Sequence, residues 1–155
     1  PMPVTTEEFR RVAVPFVAGW EGLELTAYQD IVGVWTVCYG QTLGVQPGDR
    51  YTATQCKAML AKDLRIYRAG IHQAMSDETK ETRLPVGRDV AFTSLAYNVG
   101  ISGAGRSTAM RRLNSGQITG ACQALTWWNK AGQRVVRGLV RRRLAEHALC
   151  MQGQL

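Results

Sequence analysis

The sequence predicts an α+β fold that is mostly helical, with one small β-sheet in its amino-terminal third. Apolar residues recur at three- and four-residue steps in residues 5–20 and 52–75, which is the periodicity of amphipathic helices. Between them, residues 23–51 are β-prone and rich in glycine, a pattern typical of short strands and turns. Helical periodicity returns after residue 86 and continues to residue 151.

Length and composition indicate a single folded domain with a basic surface. The chain has 155 residues, of which 45% are hydrophobic and 20% charged. Its formal net charge of +7 favours polyanions such as nucleic acid, anionic lipid or the acidic polymers of a bacterial envelope. No apolar run approaches the roughly 18 residues that a membrane span requires, so we expect neither a signal nor a transmembrane segment in this chain.

The first helix is predicted to begin at Thr5, because Thr5 and Glu8 have the spacing of a capping box. Pro15 lacks an amide hydrogen and clashes with the preceding turn, so we expect a kink or a restart near Val14. Glu21 follows the end of this helix, where the buried apolar stripe of the helix would fix its position.

Residues 23–51 are predicted to form two or three short strands. Strand alternation places Thr36 and Cys38 on one face and Val37 on the other. The next helix opens at Thr52 and extends to about residue 75, and a polar connector follows over residues 76–86.

The remainder of the chain is predicted to be helical, with one glycine-rich break at residues 100–105. This break resembles a phosphate-binding loop only in composition, because it lacks the lysine and the preceding strand, so nucleotide binding is not expected. The predicted helices span residues 88–99, 107–114, 118–128 and 134–151.

Two carboxylates, Glu21 and Asp30, are the first candidates for chemistry. They are nine positions apart, one leaving a helix and the other entering a hairpin, so they could face each other across a cleft. Cleavage of a glycosidic bond needs such a pair, one acid to protonate the leaving oxygen and one base to direct water. The spacing alone also fits two acids on a solvated surface.

Glu21, Asp30 and Thr36 stand in an E-x8-D-x5-T arrangement, and here the sequence resembles the phage-type lysozymes, the endolysins of tailed bacteriophages. The run from Tyr28 to Cys38 is most similar to endolysins of lambdoid phages, and the similarity extends over residues 16–151. The resemblance implies a lysozyme-like two-lobed fold. Its single catalytic domain would span residues 1–155, with a helix and sheet lobe at 1–52, a connecting helix at 53–75 and a helical lobe at 76–155.

The resemblance also implies an endolysin that hydrolyses the β-1,4 bond between N-acetylmuramic acid and N-acetylglucosamine in peptidoglycan. Glu21 would be the general acid, since apolar neighbours such as Trp20 and Leu23 are compatible with a raised carboxyl pKa. Asp30 would hold and activate the attacking water, with the Thr36 hydroxyl as the second ligand of that water. The family is described as inverting, and no cofactor or metal is expected.

Four further residues align with family positions on the helical side of the saccharide groove: Tyr97, Asn98, Ser107 and Thr108. Amide, hydroxyl and aromatic groups suit sugar recognition. The alternatives are that Tyr97 belongs to the core and that Ser107 caps a helix. Family members often have phenylalanine at the position of Arg106, so the shape of that subsite differs from the family pattern.

Two other segments allow more than one interpretation. Trp127, Trp128 and Asn129 could form a sugar platform, but their helical spacing favours a place in the core. The arginine-rich residues 134–143 favour a helix that packs its apolar face into the domain and solvates the other. A secondary role for this helix is to hold the enzyme near the anionic envelope.

The four cysteines are expected to form disulfides in the exported protein. Helix packing could bring Cys122 and Cys150 together, and Cys38 and Cys56 are the second candidate pair. Four buried thiols are the alternative. No Cys-x-x-Cys spacing exists and the two histidines form no ligand set with them, so structural zinc is not expected.

Two other functions remain compatible with parts of the sequence. A non-enzymatic membrane- or nucleic-acid-binding protein would account for the basic charge but has no need of the three-residue arrangement. A lytic transglycosylase needs one acid and no water-positioning aspartate, so Asp30 argues against it. We expect a monomer that has peptidoglycan and not nucleic acid as its partner, is made in the host cytoplasm and acts in the periplasm.

Overall fold

The computed structural model describes residues 3–152, so the outermost residues of the expected domain, 1–2 and 153–155, lie outside the described part. The structure confirms a mostly helical α+β fold. Its elements in chain order are α1 (Thr6–Ala18), β1 (Glu24–Gln29), β2 (Trp35–Cys38), α2 (Ala53–His72), α3 (Asp77–Thr82), α4 (Val86–Val99), α5 (Ile101–Gly105), α6 (Thr108–Asn114), α7 (Ile118–Leu125), β3 (Lys130–Ala131), β4 (Arg134–Val135) and α8 (Arg137–Met151).

Helix α1 begins as the capping pattern predicts, with the Thr5 hydroxyl accepting a hydrogen bond from the Glu8 amide at 3.1 Å. The restart expected near Val14 does not occur, because α1 continues through Pro15 to Ala18. Pro15 lies on the exposed side of the helix, where water can reach the carbonyl group that lacks its amide partner.

Strands β1 and β2 form an antiparallel sheet, and the third strand is reduced to a single bridge between Thr26 and Arg50. The predicted alternation fails at the end of β2, where Thr36, Val37 and Cys38 are all buried. Cys38 has a φ of +62°, which is not a strand conformation, so its side chain leaves the alternating pattern.

Two hydrophobic cores lie on either side of the long helix α2 and the central helix α4. The first joins buried residues of α1, β2 and α2, including Phe9, Val17 and Leu64. The second joins α4 with the carboxyl-terminal helices and includes Phe92 and Leu125. Helix α1 belongs to the first core and packs against both α2 and α4, so the catalytic candidate Glu21 directly follows an element of that core.

The carboxyl-terminal half contains more elements than its hydrophobic pattern predicts. The polar connector at 76–86 contains α3, and the glycine-rich break contains α5. Helix α7 ends at Leu125, three residues before the predicted end. Helix α8 starts at Arg137 and not at Arg134, because β4 of a β3–β4 hairpin occupies residues 134–135. Gly132 makes this hairpin possible with a φ of +63°, a conformation that residues with a side chain rarely adopt.

Two disulfide bonds brace the fold. One joins Cys38, at the end of β2, to Cys56 in the first turn of α2, and the other joins Cys122 in α7 to Cys150 at the end of α8. These are the two pairs expected from the sequence, and no cysteine is free. Within residues 3–152, no helix has the length and apolar composition needed to cross a bilayer.

Candidate active site

Glu21 follows α1 in a turn that continues the hydrogen bonding of the helix. Its amide donates to the carbonyl oxygen of Val17 at 3.1 Å, and the Val17 side chain is fully buried in the first core. Its side chain is 24% exposed and lines a cavity. The buried stripe of α1 therefore fixes the backbone of Glu21, as the sequence analysis expected.

The closest partner of the Glu21 carboxylate is the guanidinium of Arg142 on α8. Arg142 Nη1 lies 2.8 Å from Glu21 Oε1, and the arginine side chain is only 5% exposed. Apolar neighbours are expected for Glu21 from the sequence, whereas Leu23 is 40% exposed. Arg142 is a site residue that the sequence pattern does not indicate.

Arg142 belongs to a charge cluster formed by Glu21, Arg142, Arg143 and Glu146. Glu146 is fully buried and accepts a hydrogen bond from the Ser94 hydroxyl at 2.5 Å. It lies 2.7 Å from Arg143 Nε and 3.4 Å from Arg142 Nε. Burial raises the pKa of the Glu146 carboxyl and lowers the pKa of the Arg143 guanidinium. The two arginines balance the two glutamates, so the cluster has no net formal charge.

The charge cluster corrects the prediction for the arginine-rich helix. Arg142 and Arg143 are buried, while Leu144 is 56% exposed, so α8 does not separate an apolar face from a charged one. The sequence does contain a signal for this arrangement. Arg142 and Arg143 precede Glu146 by four and three positions, and side chains at these spacings on a helix can form ion pairs.

Asp30 holds the turn between β1 and β2. Its Oδ1 accepts hydrogen bonds from the amides of Val32 at 2.9 Å and Val34 at 2.8 Å, and its own amide donates to the Val34 carbonyl. Gly33 has the φ of +84° that this turn requires. One carboxylate oxygen is thus committed to the turn, and Oδ2 has no hydrogen-bond partner within residues 3–152.

Thr36 is tied to the same peptide unit as Asp30. Its hydroxyl donates to the carbonyl oxygen of Val34 at 3.0 Å, and the residue is 5% exposed. Because the hydroxyl hydrogen is already used, the oxygen can act only as an acceptor for a further hydrogen bond. Val34 therefore fixes both candidate ligands of a water molecule, Asp30 and Thr36, relative to each other.

The cavity beside Glu21 has a volume of about 550 Å³. It is bounded by the segment that follows β2, by one side of α2 and by the end of α4. Tyr97 and Asn98 line it together with Glu21. Asp30 and Thr36 are not among the described residues that line this cavity.

A hydrogen-bond network crosses the cavity floor and connects the two lobes. The Tyr97 hydroxyl donates to the Tyr39 carbonyl at 3.0 Å and accepts from Gln41 Nε2 at 3.1 Å. Gln41 also donates to Asp63 at 3.2 Å. Burial, together with the negative charge of Glu21, raises the pKa of Tyr97. Gln41 and Asp63 were not identified from the sequence, since neither occurs in a recognisable motif.

Ser107 and Thr108 take part in local structure. The Ser107 hydroxyl caps α6 by accepting from the Met110 amide at 3.1 Å and donates to the Ala104 carbonyl at 2.7 Å. Thr108 accepts a hydrogen bond from Arg111 at 2.8 Å. Neither is among the described lining residues of the cavity, so the structure favours the helix-capping alternative for Ser107.

The tryptophan pair divides between surface and core. Trp127 is 53% exposed, and the guanidinium of Arg112 lies 5.0 Å from its ring centroid. Trp128 packs against the second core. Among residues 3–152, no three His, Cys, Asp or Glu side chains converge in a way that could hold a metal ion.

The sequence and the fold both match known proteins. The sequence profile of the phage lysozyme family matches residues 18–146. The SAR-endolysin of Enterobacteria phage P21 is 41% identical over 137 residues, which cover 88% of this chain and 80% of the relative. The SAR-endolysin of Pseudomonas phage phiKMV is 43% identical over 136 residues, covering 85% and 81%.

Among solved structures, the muramidase domain of SpmX from Asticaccaulis excentricus superimposes with a TM-score of 0.83. It is 33% identical in sequence, and the match covers 92% of this chain and 96% of that domain. Sequence and structure agree, and the chain belongs to the phage lysozyme family.

Proposed function

We propose that this chain cleaves the β-1,4 bond between N-acetylmuramic acid and N-acetylglucosamine by an inverting acid/base mechanism. As a member of the phage lysozyme family, it is a glycoside hydrolase and a peptidoglycan-hydrolysing endolysin. The observation that carries the mechanistic proposal is the placement of Glu21. Its carboxyl group lines a cavity of about 550 Å³ while its backbone is tied to a buried helix.

Glu21 is the proposed general acid. It donates its proton to the glycosidic oxygen as the bond to the anomeric carbon breaks, so the leaving sugar departs as a neutral alcohol. Arg142 contacts only Oε1 of the carboxyl group, at 2.8 Å, and this contact fixes the orientation of the group. A carboxyl in a fixed orientation presents its acidic proton to a bound substrate without first losing rotational freedom.

Asp30 is the proposed general base. Its free Oδ2 accepts a hydrogen bond from the attacking water, whose second hydrogen bond goes to the Thr36 oxygen. The water attacks the anomeric carbon from the face opposite the leaving group, and Asp30 takes up its proton. This mechanism requires the two carboxyl groups to be about 6.5–9.5 Å apart, because the water and the sugar lie between them.

Substrate binding is assigned to the cavity wall. Tyr97, on the helical lobe, is held by hydrogen bonds to Tyr39 and Gln41 of the other lobe, and Asn98 is exposed with its amide available to sugar hydroxyl and acetamido groups. Ser107 and Thr108 are the weaker candidates, since the Ser107 hydroxyl caps α6 and the Thr108 hydroxyl accepts a hydrogen bond from Arg111.

We further propose that the protein is a monomer, is made in the host cytoplasm and acts on the periplasmic cell wall. Attraction to the anionic envelope is assigned to the exposed arginines of β4 and of the start of α8, not to the buried Arg142 and Arg143. The exposed members are Arg134, Arg137 and Arg141.

Digestion of purified Gram-negative sacculi tests the proposed reaction. We expect products with a reducing N-acetylmuramic acid end by mass spectrometry, and the first product should have the inverted α configuration by proton NMR. Anhydro-muramic products would indicate a transglycosylase, and a β first product would indicate a retaining mechanism. Glu21→Gln should abolish digestion while circular dichroism remains native-like, and more than a few per cent residual activity would exclude Glu21 as the acid.

A basic binding protein without enzymatic activity is the alternative. It would bind sacculi or anionic vesicles without releasing any soluble fragment, and Glu21→Gln would leave that binding unchanged. The same digestion therefore distinguishes the two functions.

A further inference from the structure

A second and larger depression lies beside the proposed catalytic cavity. This lateral groove has a volume of about 890 Å³ and runs between the segment before α1, one side of α2, and α3 with the turn that follows it. Lys62 and Ile66 line both the lateral groove and the cavity that contains Glu21. The two depressions are therefore adjacent, with these two side chains of α2 at their boundary.

The lateral groove is lined by more cations than anions. Four of its lining side chains are lysine or arginine, and two are carboxylates, Glu81 and the fully buried Asp89. Arg68 neutralises Asp89 at 2.8 Å, and His72 contacts its other oxygen at 2.7 Å. After that internal pairing, Lys62, Arg65 and Lys80 remain beside the single carboxylate of Glu81, so the lining keeps an excess of positive charge.

The remaining cations lie on two of the elements that line the lateral groove, α2 and α3. Lys62 and Arg65, on α2, are exposed and have no carboxylate partner within the described residues. Lys80, on α3, lies 3.6 Å from Asp77, whose side chain is 92% exposed, and such a pair is weak in water. Apolar groups also line the groove, including Leu84 and the 56% exposed Ile66. This combination of cations and apolar groups suits a ligand that carries several carboxylates and has apolar groups between them.

We propose that the lateral groove binds the short acidic peptide that peptidoglycan carries on its muramic acid sugars. The inference rests on the proposed function, since it places the glycan in the cavity with Glu21 and the peptide in the groove next to it. Stem peptides combine acidic residues, which carry free carboxylates, with small apolar residues, and these match the cations and the apolar groups of the groove. Binding the peptide would position the glycan and make the enzyme favour strands that carry it.

The length of the groove agrees with this ligand. From Lys62 to His72, α2 advances by ten residues, or about 15 Å along its axis. An extended peptide of four to five residues spans about 13–18 Å. A stem peptide that leaves the glycan near Lys62 would therefore reach the far end of the groove.

The test compares two soluble substrates: glycan strands that carry tetrapeptide stems, and the same strands after an amidase has removed the stems. The double variant Arg65→Glu, Lys80→Glu reverses one charge on α2 and one on α3. We expect it to lose about tenfold in kcat/KM on stem-bearing strands and to stay within about twofold of the unaltered protein on stripped strands. The matched control Arg50→Glu, Lys57→Glu makes the same change of net charge at two exposed positions outside both depressions, and should show no stem-specific loss.

A binding measurement tests the lateral groove even if the enzyme does not cleave the stripped strands. The inactive Glu21→Gln protein is titrated with the free tetrapeptide and followed by backbone amide NMR. Shifts should appear in the middle of α2 and in α3, and Arg65→Glu, Lys80→Glu should abolish them. Inorganic phosphate and phosphatidylglycerol vesicles are titrated in parallel, and equal or stronger shifts with either would assign the groove to a simple anion or a lipid surface instead.

The outcomes separate the two proposals. If the unaltered protein cleaves neither substrate, the proposed function is wrong. If it cleaves both, and the groove variant loses activity equally on both or no more than the control, the proposed function stands and the peptide-binding groove is excluded.

Discussion

Glu21 and Arg142 are 121 positions apart in the sequence, yet Glu21 Oε1 and Arg142 Nη1 lie 2.8 Å apart. The contact joins the end of the first helix to the middle of the last. Arg142 also lies within 3.3 Å of the Ser94 carbonyl and hydroxyl oxygens on α4. The proposed acid is therefore positioned by both of the helices that form the centre of the second core.

We expect Arg142→Met to lower kcat by about 10- to 100-fold, because a misplaced catalytic group loses that much rate without any change in its chemistry. Arg142→Lys should recover part of the loss by restoring the charge without the planar guanidinium. The control is Arg141→Met, which removes the neighbouring exposed arginine. Steady-state kinetics on solubilised peptidoglycan gives kcat and KM separately, and a change in KM alone would contradict a positioning role.

Glu146 should matter for stability more than for catalysis. Glu146→Gln leaves two buried guanidinium groups with only one carboxylate, and breaking a buried ion pair in this way costs about 3–5 kcal/mol. The double variant Glu146→Met, Arg143→Met removes a cation with the anion and should lose less than the single variant. Guanidinium chloride unfolding measures both, and a single variant within about 1 kcal/mol of the unaltered protein would contradict the structural role.

Much of the fold was predictable because its elements repeat apolar residues with a clear period. Helices α1, α2 and α4 carry caps or stripes that end close to their observed bounds. The short helices α3 and α5 were not predictable in this way. With six and five residues, they are too short to display a period, and packing against neighbouring helices defines them.

The candidate site was predictable only where it follows a local pattern. Glu21, Asp30 and Thr36 lie within 16 consecutive residues, so their spacing is visible in the sequence. Arg142 and Gln41 act through contacts with distant parts of the chain. For Arg142 the misleading feature was its place in an arginine-rich run, since such runs usually form a solvated face and burial depends on tertiary contacts.

The exposed arginines of β4 and of the start of α8 should affect cell-wall lysis through long-range attraction. Replacing Arg134, Arg137 and Arg141 with glutamine should slow lysis of permeabilised cells at low salt, while cleavage of a small soluble fragment changes little. Since the Debye length falls from about 30 Å at 0.01 M to about 8 Å at 0.15 M salt, the difference should shrink as salt is added. Turbidity assays across this range check the result, and equal losses on both substrates would assign these residues to the fold instead.

Tyr97 should give the protein a stability loss in alkali. Its pKa is raised in the folded state, so the folded protein holds the phenolic proton more tightly than the unfolded chain does. The resulting stabilisation is fully present below the unfolded pKa of about 10 and is lost as pH rises above it. Tyr97→Phe should flatten this dependence. Urea unfolding between pH 8 and 11 measures it, and identical slopes for both proteins would contradict the assignment.

The two disulfides should differ in their effect on activity. Each closes a loop, of 18 positions for Cys38–Cys56 and 28 for Cys122–Cys150, and the chain-entropy relation gives about 3–4 kcal/mol of stabilisation for loops of this length. Replacing either pair with serine should therefore destabilise the fold by a similar amount.

Only the amino-terminal pair lies next to the proposed site. Cys38 follows Thr36 by two residues and precedes Tyr39, which lines the cavity and accepts the hydrogen bond of Tyr97. The Cys38→Ser, Cys56→Ser variant should lose activity under conditions in which it remains folded, because the bond holds the end of β2 against α2. The Cys122→Ser, Cys150→Ser variant should keep its kcat at 20 °C. Its only defect should be that it unfolds at a lower temperature than the unaltered protein does. Equal kcat values for the two variants, both folded by circular dichroism, would show that the bond near the cavity contributes stability alone.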